Sequence, residues 1–318
     1  MSLSQTVVDY LRVFRAHTAP ATQALVLLPS MLSGVRSPTH LLLLFIIACL
    51  IHYSGFGHNS VMDYYFDIND PHKAHHPIVA GRIPLSSAST AVLTLQAITA
   101  IIASTVIYMW FTPLNLIFFL LYVVFGHFYN DFFSKLTAYG SIPISLSMTT
   151  LFLSFLKTPQ PYVAVTVYVF TTILYEISVE GDLKDISVDH MCLLKKLGVK
   201  PLSNEEFMMS RRATIYTYTT ATAKTIALAT TYTAIRGLTA GITTLIITLP
   251  LFTYLNHKIT GSARNNKLYA ITEVVSIYAP LGILSPPIPL ALTIIISGIA
   301  YYTVMNKIMW GTILTPLV

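Results

Sequence analysis

One after another, stretches of about 20 apolar residues dominate this chain, and that is the length a helix needs to cross a bilayer. They fall at residues 18–35, 38–62, 86–110, 113–130, 141–157, 161–181, 210–233, 238–256, 267–284 and 288–306. Turn signals punctuate them at Ser37-Pro38, Thr112-Pro113, Thr158-Pro159, Gly237 and Ser285-Pro286-Pro287. Charged residues make up 10% of the 318, against about 25% in soluble domains. So few charges cannot cover a water-facing surface. The expectation is an all-α fold: a multi-span transmembrane helix bundle of nine or ten helices around a central cavity, forming a single domain over residues 1–318. Pro286, Pro287 and Pro289 decide between nine and ten, since they suit either a turn between two spans or a kink within one.

The basic residues set an orientation. With the N-terminus cytoplasmic and ten alternating spans, fifteen of the nineteen Lys and Arg residues lie inside, and only Arg36, Lys157 and Arg236 lie outside. The positive-inside rule predicts this bias. It accounts for a net charge of +6 with no nucleic acid as partner. The N-terminal stretch SLSQTVVDYLRVFRAHTAP is amphipathic and lacks the compact apolar core of a cleaved signal peptide. Cys49 and Cys192 are too far apart in sequence to suggest a disulfide framework or metal spacing, and Cys49 reads as a small core residue.

Eight of the thirteen acidic residues fall within residues 63–70 and 176–189. Carboxylates at the end of a membrane helix are costly unless hydrated, paired or bound to cations. Asn59, Asp63 and Asp67 are spaced four apart and share one face of a helix. Asp182, Asp185 and Asp189 form the second set. Each set is followed by a long inside loop, about 67–85 and 185–209, where a lid or substrate cap is expected. Taken singly, an acid at a helix end has a plainer meaning. Asp70 before Pro71 suits a solvated end, and Glu205 and Glu206 after Ser203-Asn204 suit the start of a helix. Two ordered sets at same-side ends of the second and sixth stretches point instead to Mg²⁺, a hard cation that shares oxygen ligands with substrate phosphates.

Other polar residues carry weaker signals. His52 and His127 lack a partner histidine at metal spacing and suit hydrogen-bonded interior positions. Lys224, deep in its span, suits a cavity wall, a snorkelling side chain or an internal pair. The many Thr residues suit bonds back to helical carbonyls or links between helices. Asp131 suits either a helix-end charge or a partner for Lys135 four residues on.

The ordered motifs resemble the UbiA superfamily of intramembrane prenyltransferases, from the first span to about residue 257. The family's first motif, Asn-Asp-x-x-Asp-x-x-x-Asp, is met by Asn59, Asp63 and Asp67. Its loop, of the form Arg-Pro-x-x-x-Gly-Arg, is met by His76-Pro77-Ile78-Val79-Ala80-Gly81-Arg82. The second motif, Asp-x-x-Asp-x-x-x-Asp, is met by Asp182, Asp185 and Asp189, with Lys195-Lys196-Leu197 following as the Lys-Thr-Leu-like triplet. Tyr129 and Lys135 match a Tyr-x-x-x-x-x-Lys signature between them. Ser60 stands where the family usually has Asp, His76 where it usually has Arg, and Glu176 and Glu180 fall outside its pattern.

The resemblance implies transfer of a prenyl group from an isoprenyl diphosphate to a membrane-associated acceptor, releasing diphosphate through a carbocation-like intermediate. It implies Mg²⁺ held by Asn59, Asp63, Asp67, Asp182, Asp185 and Asp189, with the two sets facing each other across one diphosphate. It makes Arg82, Tyr129, Lys135 and Lys195, with Lys73 behind them, the candidates for diphosphate contact. The acceptors it favours are an aromatic quinone precursor and a prenylated glycerol phosphate. Aromatic side chains near the motifs (Tyr64, Tyr65, Phe66, Phe128, Tyr129 and Phe132) suit a cation or an apolar tail.

Three other readings compete. A cation-coupled transporter would place its carboxylates near the bilayer midplane rather than at span ends. An assembly protein with acidic loops has no need for the motif spacing or the downstream Lys. A Mg²⁺-dependent lipid phosphotransferase lacks the match at Tyr129 and Lys135.

Overall fold

The computed structural model describes residues 3–69, 73–133, 137–157, 163–184, 186–187, 191–203, 206–261, 269, 272, 275–276 and 288–313. The chain divides into two compact units: residues 1–117, 154–157 and 286–318, and residues 118–153 and 158–285.

The first unit holds α1 (Leu3–Val13), a 3₁₀ turn (Ala16–Thr18), α2 (Ala19–Leu32), α3 (Pro38–Met62) and α4 (Tyr64–Asp67). It also holds α5 (Leu85–Trp110) and α13 (Ile288–Trp310), and α6 (Pro113–Phe128) begins in it. Proline starts these helices where its missing N–H costs nothing: Pro38 opens α3 after an extended Ser37, and Pro113 opens α6. Asn115 locks the start of α6. Its Oδ1 accepts the Thr112 backbone N–H at 3.0 Å, and its Nδ2 donates to the Leu156 carbonyl at 2.8 Å. The amphipathic N-terminal stretch forms α1, and the loop after α4 folds back onto it. Ile78 and Ile83 are buried with Val13 and Ala88, with Tyr10, Phe14, Val61 and Tyr64 packed around them.

The second unit holds the rest of α6 with a π-helical end (Tyr129–Phe133), and most of α7 (Ser141–Ser154). Next come α8 (Val163–Tyr175), a π-helical segment (Glu176–Gly181), α9 (Asp182–Lys184) and α10 (Leu193–Lys196). A two-stranded antiparallel hairpin pairs Lys200 with Met208 and Pro201 with Phe207. α11 (Arg211–Arg236) and α12 (Leu238–Ile259) then form a helical hairpin that breaks at Gly237, whose φ of 91° is the left-handed conformation glycine favours. Tyr175, Val179 and Leu183 bury against Ala213 and Ala221 of α11, Ile259 of α12, and Ile186, Cys192, Leu194, Val199 and Phe207 of the 185–209 loop. That loop is therefore part of the core.

Among the described residues, five helical segments are long and apolar enough to cross a membrane: Pro38–Met62, Leu85–Trp110, Pro113–Phe133, Val163–Lys184 and Leu238–Ile259. The stretch expected at 18–35 forms a helix of only 14 residues, about 21 Å long against a hydrocarbon core of about 30 Å. α11 has 26 residues but carries Arg211, Arg212, Lys224 and Arg236. Its threonines bond back to its own carbonyls as expected: Thr225 to Ala221 at 2.9 Å, Thr230 to Ile226 at 2.8 Å and Thr231 to Ala227 at 2.8 Å. Most of the stretch expected at 267–284 lies outside the described residues.

One local expectation fails. Glu206 does not open a helix. Its backbone N–H donates to Ser203 Oγ at 3.1 Å, and its carbonyl accepts from Leu202 N–H at 2.8 Å, so it closes the turn of the hairpin. The helix starts later, where Ser210 Oγ accepts the Ala213 N–H at 3.1 Å. Glu205 and Asp70 lie outside the described residues.

Candidate functional site

In the first unit, Asn59, Asp63 and Asp67 line one face across the junction of α3 and α4. Helical bonds carry the spacing: Asp63 N–H donates to the Asn59 carbonyl, and Asp67 N–H to the Asp63 carbonyl, both at 2.9 Å. Asp63 is 5% exposed and Asp67 8%, while Tyr65 between them is 72% exposed. Two carboxylates kept out of water, with an amide beside them, form an all-oxygen donor set of the kind a hard divalent cation takes.

The neighbouring Ser60 explains its own departure from the family pattern. It is buried, and its hydroxyl donates to the Val13 carbonyl at the end of α1 at 2.8 Å. An aspartate there would bring an acceptor-only carboxylate against a carbonyl oxygen. Here the position ties α1 to α3.

The Pro77–Arg82 turn presents Arg82. Arg82 N–H donates to the Pro77 carbonyl at 3.0 Å, and Gly81 takes the left-handed conformation, with φ 69°. The guanidinium is engaged by Asp9: Arg82 Nε donates to Oδ2 at 3.1 Å, and Arg82 Nη2 to the His75 carbonyl at 2.8 Å. Asp9 also accepts from Arg12 Nη1 at 3.0 Å, and Arg12 holds the Met309 carbonyl through Nε at 3.1 Å. Asp9 is a residue that the motif reading passed over. Its sequence signal was a lone acid three residues before Arg12, on the polar face of an amphipathic helix.

Lys73 and His76 lie on the same loop, with the His76 N–H donating to the Lys73 carbonyl at 2.8 Å. The His76 ring is held neutral, its pKa lowered from 6.5 to about 3. Burial is the main cause, and the charges of Arg15, Lys73, His75 and Arg82 add to it. Its Nδ1 is buried with no hydrogen-bond partner among the described residues. His76 therefore does not replace the charge of the arginine usual in the family.

In the second unit, Asp182 directly follows the π-helical segment. Its Oδ2 accepts the Leu194 N–H at 2.9 Å, at the start of α10, the short helix that carries Lys195 and Lys196. The acid thus holds Leu194, twelve residues downstream and just before the basic triplet, in the way a capping carboxylate would. Lys195 is half-buried, and the Lys196 ammonium lies 5.2 Å from the Tyr139 ring centre. Tyr129 opens the π-helical end of α6 and is half-buried, its ring close to Gly140. Asp131 takes His127 Nδ1 at 3.3 Å. Asp185, Asp189 and Lys135 lie outside the described residues. Phe66, Phe128 and Phe132 are exposed.

Of the two histidines expected at interior positions, His52 is buried, whereas the side chain of His127 is 45% exposed. His52 in the first unit is buried and bonded to Thr22 Oγ1 at 2.9 Å, and to Thr18 Oγ1 and the Arg15 carbonyl at 3.1 Å. Cys49 is buried and takes the Gln23 amide at 3.3 Å.

Long apolar helices with buried acids at their ends define an α-helical, multi-pass membrane protein. Residues 24–274 match the UbiA prenyltransferase family, and the chain belongs to that family. Solved structures share the fold at low identity. A UbiA homologue from Archaeoglobus fulgidus, bound to DMAPP and Mg²⁺, matches with a TM-score of 0.63 at 15% identity, over 87% of this chain and 99% of its own. A UbiA homologue from Aeropyrum pernix K1 without ligand gives 0.64 at 14%, over 84% and 96%. A digeranylgeranylglyceryl phosphate synthase gives 0.59 at 17%, over 93% and 99%. No curated protein matches the chain.

Proposed function

We propose that this protein transfers a prenyl group from an isoprenyl diphosphate to a membrane-associated acceptor, with Mg²⁺ as cofactor. Family membership supports the reaction type. The observation that carries the reading to this chain is the Asn59-Asp63-Asp67 face, whose two carboxylates are buried and whose oxygen donors suit a hard cation. The A. fulgidus homologue, solved with Mg²⁺ and either DMAPP or GPP, supports the choice of metal and donor.

The residues fit the ion. Asn59, Asp63 and Asp67 would form one ligand set, and Asp182, Asp185 and Asp189 the other. When bound, Mg²⁺ takes up negative charge developing on the diphosphate leaving group. Arg82, Tyr129, Lys135 and Lys195, with Lys73, would bind and orient the same anion. Asp9 would hold the Arg82 guanidinium in place. In the reaction the allylic C–O bond breaks, its electron pair leaves with diphosphate, and an acceptor nucleophile bonds to the freed carbon and loses a proton. The surrounding bilayer suits an insoluble tail and keeps water from a carbocation-like centre.

The whole chain would act as one prenyltransferase domain in the cell membrane. Its N-terminus and both acidic motifs would be cytoplasmic, as the distribution of Lys and Arg supports. The acceptor would be a prenylated glycerol phosphate or an aromatic quinone precursor. Purified protein with Mg²⁺, geranylgeranyl diphosphate and a panel of both acceptor classes tests this. Product and diphosphate should appear together with one class and vanish when Mg²⁺ is chelated. Absence of product across the panel, in folded protein that binds the donor, would contradict these acceptor classes.

A further inference from the structure

Two arginines share one buried carboxylate in the first unit. The Asp9 side chain is 0% exposed, and its oxygens are divided: Oδ1 accepts from Arg12 Nη1 at 3.0 Å and Oδ2 from Arg82 Nε at 3.1 Å. A carboxylate withdrawn from water needs a cation, and one guanidinium can satisfy both oxygens through parallel bonds. With two guanidinium groups on one carboxylate, a positive charge is left in surplus. Arg82 holds the means to offer it. Its Nε–Nη2 edge is taken by Asp9 and the His75 carbonyl, and among the described residues its Nη1 end carries no bond. That side chain is 33% exposed.

Arg12 is held in place by the far end of the chain. Its Nε donates to the Met309 carbonyl at 3.1 Å, and its Nη2 donates to the same oxygen. The Trp310 ring covers its guanidinium, whose carbon lies 4.6 Å from the ring centre. The same ring meets His75 edge-on, with centres 6.2 Å apart. The last turn of α13 thus touches Arg12, which shares Asp9 with Arg82, and His75, whose carbonyl holds Arg82 directly.

We propose that Arg12 is a positioning residue for the substrate: clamped by the last turn of α13, it takes one oxygen of Asp9 and so leaves the Arg82 guanidinium with a surplus charge and an open Nη1 end for a diphosphate. Without Arg12, both Asp9 oxygens turn to Arg82 and the pair becomes neutral. This rests on the reading above in which Arg82 contacts the diphosphate.

The test titrates inorganic diphosphate, with Mg²⁺ present, into the full chain in detergent. Binding is read by calorimetry, and melting is followed separately. Wild type is compared with Arg82→Met, Arg12→Met and the double variant Arg12→Met/Arg82→Met. Each single substitution should weaken binding about tenfold, a coupling of ordinary size within one network. The double variant should bind no more weakly than Arg82→Met, because Arg12 acts only through Arg82. Trp310→Leu keeps both charges and removes the ring, so it should weaken binding about threefold and have no effect when combined with Arg82→Met. This second pair leaves Asp9 with a partner, and it decides the matter if the Arg12 variants fail to fold. A purely structural role would lower the melting temperature and weaken binding by the same factor with or without Arg82. That result, or wild-type affinity in Arg12→Met, while Arg82→Met binds weakly, would overturn this inference alone. Wild-type affinity in Arg82→Met, or a wild type that binds no diphosphate, would overturn it together with the reading it rests on.

Discussion

His76 shows how one residue departs from a family pattern and still follows from its surroundings. Burial first, and then the nearby Arg15, Lys73, His75 and Arg82, hold the ring neutral and lower its pKa from 6.5 to about 3. A group with a depressed pKa binds its proton in the unfolded chain before it does in the folded one. For a histidine, that stabilisation is complete above the unfolded value and is lost as pH falls from 6.5 towards about 3. Melting temperature should therefore drop more steeply for wild type than for His76→Gln between about pH 7 and about pH 5. Parallel slopes would show that His76 titrates as an exposed imidazole does. The sequence placed the residue and its departure from the pattern. It could not give the ring's charge, because the cations around it come from α1's end and from the loop's fold. Asp9 was hidden for the same reason: its partner Arg82 lies 73 positions away.

At the scale of elements, the helix borders were the most legible part. Pro38, Pro113 and Gly237 fix ends through backbone chemistry that needs no tertiary context, and the helices begin or end there. The four-residue spacing of Asn59, Asp63 and Asp67 was equally readable, since helical bonds set it. The π-helical segments and the small hairpin were not. Each turns on which side chains meet across elements, as with Ser178 and Tyr216, or Phe207 in the core beneath α11. Packing between α11 and α12 makes its own prediction. A Cβ on Gly241 would lie 1.7 Å from Thr233 Oγ1 and 2.9 Å from the Ala229 carbonyl. Gly241→Ala should cost about 1–3 kcal/mol, the usual range for an overpacked site. Adding Thr233→Ala should recover part of that loss, because it removes the nearer obstacle. Denaturant unfolding of the two variants checks both statements, and an unchanged Gly241→Ala would refute the close approach.

For the molecule as a whole, composition alone gave the membrane class and the all-α fold. Family membership removes the transporter, the assembly protein and the lipid phosphotransferase from consideration. Span number was harder to read from the chain, because apolar length and helix length part company. The first stretch gives a short helix, while α11 keeps its length despite four charges. The two acidic motifs were legible as a pair of spacings, but their division between two compact units was not. The proposed chemistry requires both to serve one diphosphate. Prenyl transfer by wild type, Asp63→Ala and Asp189→Ala, measured side by side with Mg²⁺ and geranylgeranyl diphosphate, tests that requirement directly. Each substitution alone should lower the rate by about a hundredfold or more, as loss of a group that stabilises developing charge does. Wild-type rates in both variants, from an active preparation, would contradict a mechanism built on two carboxylate sets.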